Sequence, residues 1–260
     1  MFASDILPAL IAGGAIGLVL ALVGGGGSII AVPLLVYFVG VERPHLAIGT
    51  AAVAVAINAG IGLVGHARTG NVKWPCAVVF ALSGALGAVI GAEVGKATDG
   101  ARLLAFFGAM MVVVGALMLR GRKAAANPDV RLGRDTATHL LPRLVPAGFG
   151  TGLLAGFFGI GGGFLIVPAL ILATSMPLSV AVGTSLVVVM TLGVTTAGSY
   201  ALSGLVDWRL VGLMVAGGLG GAVLGMALGK VLAARRKLLE RGFAGLVIGV
   251  GIYIGVQGLV

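Results

Sequence analysis

Charged residues are scarce in this chain. Asp, Glu, Lys and Arg make up 10% of its 260 residues, whereas a soluble domain contains roughly 25%. Hydrophobic residues make up 59%, and the mean hydropathy is +1.16. So few charges cannot cover a surface that faces water. The composition therefore predicts an all-α integral membrane protein, with the lipid bilayer as its surroundings.

Cysteine and acidic residues are also few. The single cysteine, Cys76, excludes an intrachain disulfide and any multi-cysteine metal site, and we expect neither a metal nor a cofactor. The eight acidic residues leave a net charge of +9. The basic residues lie in loops between apolar segments, so we exclude nucleic acid as a partner. The start of the chain has no basic region and no small-residue cleavage site, so no removable signal peptide is expected.

Glycine is abundant, with 47 residues, and it follows an internal repeat. The segment LVGGGGSIIAVP at 22–33 returns as FFGIGGGFLIVP at 157–168. There is no Gly-X-Y period, so close helix packing and broken helices remain as the uses of glycine. Further matches continue at an offset of 134 residues, among them Gly49-Thr50 with Gly183-Thr184, Trp74 with Trp208, and Gly87, Gly91 and Gly95 with Gly221, Gly225 and Gly229. Such a duplication predicts a transporter whose site lies between the halves.

Each half contains five apolar segments, which we letter A to E and A′ to E′. They lie at about 6–24, 28–40, 46–66, 75–95 and 101–119, and at about 144–160, 164–174, 179–203, 209–230 and 240–259. Segments C, D and E approach the ~20 residues that span a bilayer as a helix, whereas B and B′ are too short. We divide the chain into a transmembrane repeat at 1–119, a cytoplasmic basic linker at 120–143 and a second repeat at 144–260.

The basic residues orient the chain. With the linker in the cytoplasm, 13 Lys and Arg lie inside and four, namely Arg43, Lys96, Arg102 and Arg209, lie outside, as the positive-inside tendency requires. Corresponding loops then fall on opposite sides, so we expect inverted repeats with both termini outside. Segments A–B and A′–B′ become hairpins that enter from opposite faces and meet near the midplane. Broken backbone survives at that depth only beside protein or a watery cavity.

The glycine runs before B and B′ are the first candidate binding site. Helix N-termini carry unpaired N–H donors and a partial positive charge, and glycine lets backbone approach a ligand closely. We also expect Ser28 to cap the N-terminus of B. The alternative is that the glycines serve only tight turns and helix crossing. The residues assigned to substrate here are Gly24, Gly25, Gly26, Gly27 and Ser28 in the first run, and Gly159, Gly161, Gly162 and Gly163 in the second.

The paired motifs resemble a known family. They read G-G-G-G-S-x-x-x-V-P and G-x-G-G-G-x-x-x-V-P, followed by A-x-G-T and A-V-G-T, and they are similar to those of the sulfite exporter TauE/SafE family over nearly the whole chain. The resemblance implies a multi-pass permease of the bacterial inner membrane. It further implies export of sulfite or another small inorganic, organosulfur or organic anion.

Polar residues on C and C′ are the second candidate. Thr50 and Thr184 recur just after each hairpin, Ser185 follows Thr184, and Asn58 aligns with Leu192. Such side chains either line the site or join helices by hydrogen bonds. An asparagine in an apolar helix is costly without a partner. No Lys or Arg lies at the centre of a predicted segment, so backbone dipoles and hydroxyls would hold the anion.

The glycine ladders Gly87/Gly91/Gly95 and Gly221/Gly225/Gly229 form smooth stripes on D and D′. These stripes predict close helix packing, either between the repeats or between subunits of a homo-oligomer. The function predicted overall is anion export without enzyme activity. The alternatives are a channel-like or scaffold subunit and an intramembrane serine hydrolase. The hydrolase would need Ser28 as nucleophile within reach of His66 as base.

Overall fold

The computed structural model describes residues 6–119, 134–159, 163–232 and 236–257. These residues are almost wholly helical, and none of them lies in a β-strand. The elements are α1 (Ile6–Val23), a 3₁₀ helix (Gly24–Ile30), α2 (Ala31–Pro33), a π-helical turn (Leu34–Phe38), α3 (Pro44–Arg68), α4 (Trp74–Ala97), α5 (Gly100–Leu119), α6 (Arg134–Phe158), α7 (Gly163–Thr174), α8 (Leu178–Leu202), α9 (Trp208–Leu232) and α10 (Arg236–Gln257).

Six of these helices contain a stretch long and apolar enough to cross a membrane: α3, α4, α5, α6, α8 and α9. The all-α membrane fold predicted from composition is therefore confirmed. Proline or tryptophan stands at the start of several spans, as in α3, which begins at Pro44, and α4, which has Pro75 in its first turn. Proline is tolerated there because the first N–H groups of a helix have no intrahelical partner.

Helix α6 begins earlier than its predicted segment. It starts at Arg134 and contains Pro142 and Pro146, so the last ten residues of the predicted linker 120–143 are helical. The rest of that linker, 120–133, lies outside the described residues. Two prolines and several polar residues in this stretch hide the helix from a reading of apolar length.

Corresponding helices of the two halves pack against each other in opposite directions. Helices α3 and α8 are in contact, with Gly62 beside Leu186 and Ala56 beside Gly193, so the residue numbers run in opposite senses along the interface. Helices α5 and α10 are also in contact. Their antiparallel contacts are Gly108 with Gly255 and Gly115 with Ala244.

The fourth helix of each half packs with the other half. Helix α4 lies against α6 and α8, and α9 lies against α1 and α3. Two mixed bundles result: a first bundle of α1, α2, α3 and α9, and a second bundle of α6, α7, α8 and α4. Within each bundle the exchanged helix runs parallel to its neighbour, because Gly87 and Gly95 on α4 meet Phe149 and Phe157 on α6 in the same order.

The glycine ladders form these exchanged contacts. A Cβ at the ladder positions of α4 would overlap backbone of α6, and a Cβ at those of α9 would overlap α1. The pairs are Gly87 with Phe149, Gly91 with Leu153, Gly95 with Phe157, Gly221 with Gly14, and Gly225 with Leu18. The expectation of a homo-oligomer contact through these faces is therefore corrected, since helices of the same chain already cover them. The surroundings of Gly229 lie outside the described part of the chain.

Candidate functional site

The first glycine run turns the chain back on α1. The 3₁₀ helix Gly24–Ile30 follows α1 without a gap, and a Cβ on Gly27 would lie 2.9 Å from Cγ of Leu20 and 3.0 Å from the carbonyl oxygen of Ile16. Residues so far apart along one straight helix could not touch in this way. The segment after α1 is therefore the second arm of a hairpin, and at Gly27 no side chain fits between the arms.

Ser28 is fully buried and lies inside the 3₁₀ helix. The expectation that it caps the N-terminus of B is corrected, because the N-cap of α2 is Ile30, which makes no side-chain cap. Helix α2 has only three residues, so the first hairpin offers 3₁₀ backbone and a buried hydroxyl in place of a long helix N-terminus.

The second hairpin turns at a different kind of backbone. Helix α6 ends at Phe158, and Gly159 has φ of +65°, a conformation that favours glycine. A Cβ there would overlap the side chain of Ile48 on α3. Helix α7 then begins at Gly163 and runs for 12 residues. Gly161 and Gly162, also assigned to the site, lie outside the described residues.

The two hairpins meet. Helix α7 contacts the 3₁₀ helix of the first half, and that 3₁₀ helix also contacts α8. The residues around the junction are buried, including Ser28 and Ile29 on one side and Gly163 and Phe164 on the other. Neither Gly24–Ile30 nor α7 contains a Lys or Arg.

Thr50 and Thr184 attach the exchanged helices. The backbone N–H of Asp207, just before α9, donates to Thr50 Oγ1 at 3.0 Å. The N–H of Lys73, just before α4, donates to Thr184 Oγ1 at 3.0 Å. Both threonines are fully buried, and each satisfies a donor that a helix start would leave unpaired. Each hydroxyl retains its own proton for donation to another group.

The glycines beside these threonines permit the approach. A Cβ on Gly49 would overlap the carbonyl oxygen of Leu205, and one on Gly183 would overlap that of Asn71. The repeated Gly-Thr pair thus seats the loop before each exchanged helix. Ser185 makes a local contact, since its hydroxyl donates to the carbonyl of Val182 at 2.7 Å.

Asn58 differs from the other candidates. Its side chain is 2% exposed, and within the described parts of the chain neither Oδ1 nor Nδ2 has a hydrogen-bond partner. It faces Gly218 on α9. The Oγ1 of Thr196 is likewise buried without a partner there.

A charged cluster that the sequence did not single out joins α4 to α8. Lys96 Nζ lies 2.7 Å from Glu93 Oε1 and donates to Ser203 Oγ at 3.1 Å. Ser199 donates to the same Glu93 oxygen at 2.9 Å. The spacing of Glu93 and Lys96 indicates an ion pair on one helix face, but nothing local announces the serines from the other half.

A cavity of about 660 Å³ opens at the end of the molecule where α3 and α5 begin. Its lining includes Tyr37, Arg43, His45 and Asp99. The Asp99 carboxylate accepts the N–H of Ala101 at 3.1 Å and so caps α5. The sequence gave no sign of this cavity, because its walls come from three turns that are distant along the chain.

Comparisons with known proteins agree with one another. The family model "Sulfite exporter TauE/SafE" matches residues 9–254. A "Probable membrane transporter protein" of Xylella fastidiosa (strain 9a5c) is 49% identical over 242 residues, which cover 93% of this chain and 92% of that protein. The "Probable membrane transporter protein YunE" of Bacillus subtilis (strain 168) is 28% identical over 92% of this chain and 94% of its own. No solved structure matches the chain.

Proposed function

Because the chain belongs to the sulfite exporter TauE/SafE family of membrane transporters, we propose that it carries a small oxyanion, such as sulfite, out of the bacterial cell. The proposed path passes through the junction of the two hairpins in the inner membrane. The observation that carries the proposal is the contact between Gly24–Ile30 and α7, two glycine-led segments from opposite halves.

The chemistry of this junction favours an anion held by neutral groups. Glycine exposes backbone N–H groups, and the N-terminus of α7 adds a partial positive charge. Thr50, Thr184 and Ser28 supply hydroxyls in the first repeat and the second. With no Lys or Arg on the two segments, binding remains weak enough for release, which suits an ion in transit.

The packing supports inverted repeats. In a chain whose halves cross the membrane in opposite senses, corresponding helices must run antiparallel, and α3 with α8 and α5 with α10 do so. We propose that the termini lie outside and the linker 120–143 inside. Cysteines introduced at 98 and at 238, in a variant lacking Cys76, should react with an impermeant reagent from opposite sides. Labelling of both from the same side would contradict this orientation.

Export of an anion can use the membrane potential alone. With the inside negative, each negative charge gains about 2.3 kcal/mol per 100 mV on leaving. In proteoliposomes loaded with sulfite, outward flux should rise with inside-negative potential and should need no proton or sodium gradient. Flux that ignores potential and collapses with the pH gradient would replace uniport with proton coupling.

The same preparation separates a carrier from the alternatives. A carrier exchanges labelled for unlabelled sulfite across the membrane, so sulfite on the far side should accelerate its efflux. A channel-like subunit would conduct without this acceleration, and a scaffold would give no flux above that of empty liposomes. We assign no catalytic role to Ser28 and His66, since the relatives are named as transporters.

A further inference from the structure

Asn58 is a buried polar group that the packing does not explain. It lies near the middle of the 25-residue α3, is 2% exposed, and has neither amide atom paired with any described part of the protein. A buried amide without partners destabilises a fold. Native proteins pair nearly all such groups, so an exception calls for a cause.

The second half shows that the position does not need an amide. Leu192 on α8 aligns with Asn58, and Gly84 on α4 aligns with Gly218. A Cβ on Gly84 would lie 2.9 Å from Cδ2 of Leu192, just as a Cβ on Gly218 would meet the amide of Asn58. The same crossing of a third helix with an exchanged helix is thus filled by leucine in one half and by asparagine in the other.

We infer that the Asn58 amide binds the transported ion, and that this ion is a singly charged oxyanion that retains a proton. The inference rests on the proposed function. It deepens that function by assigning a binding residue and the charge state of the substrate.

The chemistry of the amide carries the second part. Asn58 offers two N–H donors and one acceptor oxygen. A fully ionised oxyanion can use only the donors and is repelled by the acceptor, whereas a protonated one can use both. The surroundings of Asn58 are apolar helices, and the cost of removing an ion from water rises with the square of its charge. A doubly charged ion without a cationic partner is therefore disfavoured.

Replacement of Asn58 by leucine tests the assignment with a residue that the other half already accommodates. Purified Asn58→Leu should melt higher than the wild type by about 2–4 °C, and its affinity for sulfite should fall by about tenfold or more. A structural role for the amide would move stability in the opposite direction. Leu192→Asn is the matched control, and it should lower the melting temperature while leaving sulfite affinity unchanged.

Asn58→Ala removes the amide without adding volume and should also lose sulfite affinity. An unchanged affinity in Asn58→Leu would overturn the inference, whatever its stability. Loss of both stability and affinity in both Asn58 variants would make the amide a support of the fold and would overturn it as well. Failure of the wild type to bind or move any anion would instead contradict the proposed function.

The charge state is tested by pH. Above the second pKa of sulfite, the affinity of the wild type for total sulfite should fall about tenfold per pH unit, because the protonated ion becomes rare. Sulfate, which is doubly charged throughout, should neither stabilise the protein nor compete with sulfite. Sulfite affinity that rises with pH, or competition by sulfate, would show that the site takes the divalent form.

Discussion

The two hairpins carry nearly the same motif but reach their junction by different backbone routes. In the first, α1 continues into the 3₁₀ helix Gly24–Ile30, followed by a short α-helical turn and a π-helical turn. In the second, α6 stops at Gly159 with positive φ, and α7 is a regular helix of 12 residues. A duplicated sequence therefore does not impose duplicated geometry. The shared glycines permit the reversal, and the packing around each one selects its form.

The exchanged helices behave in the opposite way, because their contacts are the same in both halves. Each glycine ladder lies against the first helix of the other half, and each Gly-Thr pair receives the loop before the exchanged helix. The symmetric part of the molecule is its scaffold. The asymmetric part is the hairpin pair and the Asn58 position, where an ion would sit.

The largest expected effect is at the first hairpin. Gly27→Ala should abolish sulfite efflux and lower the free energy of unfolding by about 1–3 kcal/mol or more, because its methyl group would press on the backbone of α1. Gly150→Ala is the control, since nothing lies within 4 Å of a Cβ there. Efflux at wild-type rate from folded Gly27→Ala protein would show that this turn has room for a side chain.

At the second hairpin, Gly159→Ala should be damaging for two separable reasons. Positive φ costs about 1 kcal/mol for a residue with a Cβ, and the methyl group also meets the side chain of Ile48. The double variant Gly159→Ala with Ile48→Ala should recover the part due to overlap, as measured by thermal unfolding in detergent. Full recovery would mean that φ is unimportant here, and none would mean that it dominates.

The scaffold should respond equally in both halves. Gly91→Ala and Gly221→Ala should each destabilise by about 1–3 kcal/mol, since each would overlap backbone of a neighbouring helix. Gly220→Ala, adjacent on the same helix and open to space, should have little effect. A large difference between Gly91→Ala and Gly221→Ala would show that the symmetry of the contacts does not extend to their energies.

A smaller effect is expected at the threonines. Thr50→Val and Thr184→Val each remove the acceptor of a buried N–H, which should cost about 1–3 kcal/mol. Serine at either position keeps the hydroxyl and should restore most of the loss. If Thr50→Val impairs efflux far more than Thr184→Val at equal stability, then the hydroxyls also serve the ion, and unequally.

The smallest effect concerns the Glu93–Lys96 pair. Glu93 is 62% exposed, and exposed ion pairs contribute about 0–1 kcal/mol. Glu93→Gln should change thermal stability little. A strong effect on efflux with unchanged stability would mark the bond to Ser199 as part of the transport cycle.

Much of the fold could be predicted from the sequence, and the reason is visible in particular elements. The spans α3, α4, α5 and α8 begin and end within two residues of the predicted segments C, D, E and C′, because apolar stretches end at charges and turn-forming residues. The early start of α6 could not be seen, since its first turns are polar and contain Pro142.

The partners of the helices were the harder part. The ladder at Gly87, Gly91 and Gly95 predicts a close neighbour but fits any helix, so the exchange of α4 and α9 between halves was not predictable from spacing. For the same reason Thr50 and Thr184 were noticed as a repeated pair, while their N–H donors, more than a hundred residues away in sequence, were not.

The exchange of α4 and α9 bears on how the protein is made. Helix α4 leaves the ribosome before α6 and α8 exist, so its glycine stripe must wait in the lipid without the helices that will cover it. The first repeat is therefore a unit of ancestry and not a unit of assembly. A gene cut between the repeats would yield two fragments that depend on each other, and each would remain incomplete until the other was inserted beside it.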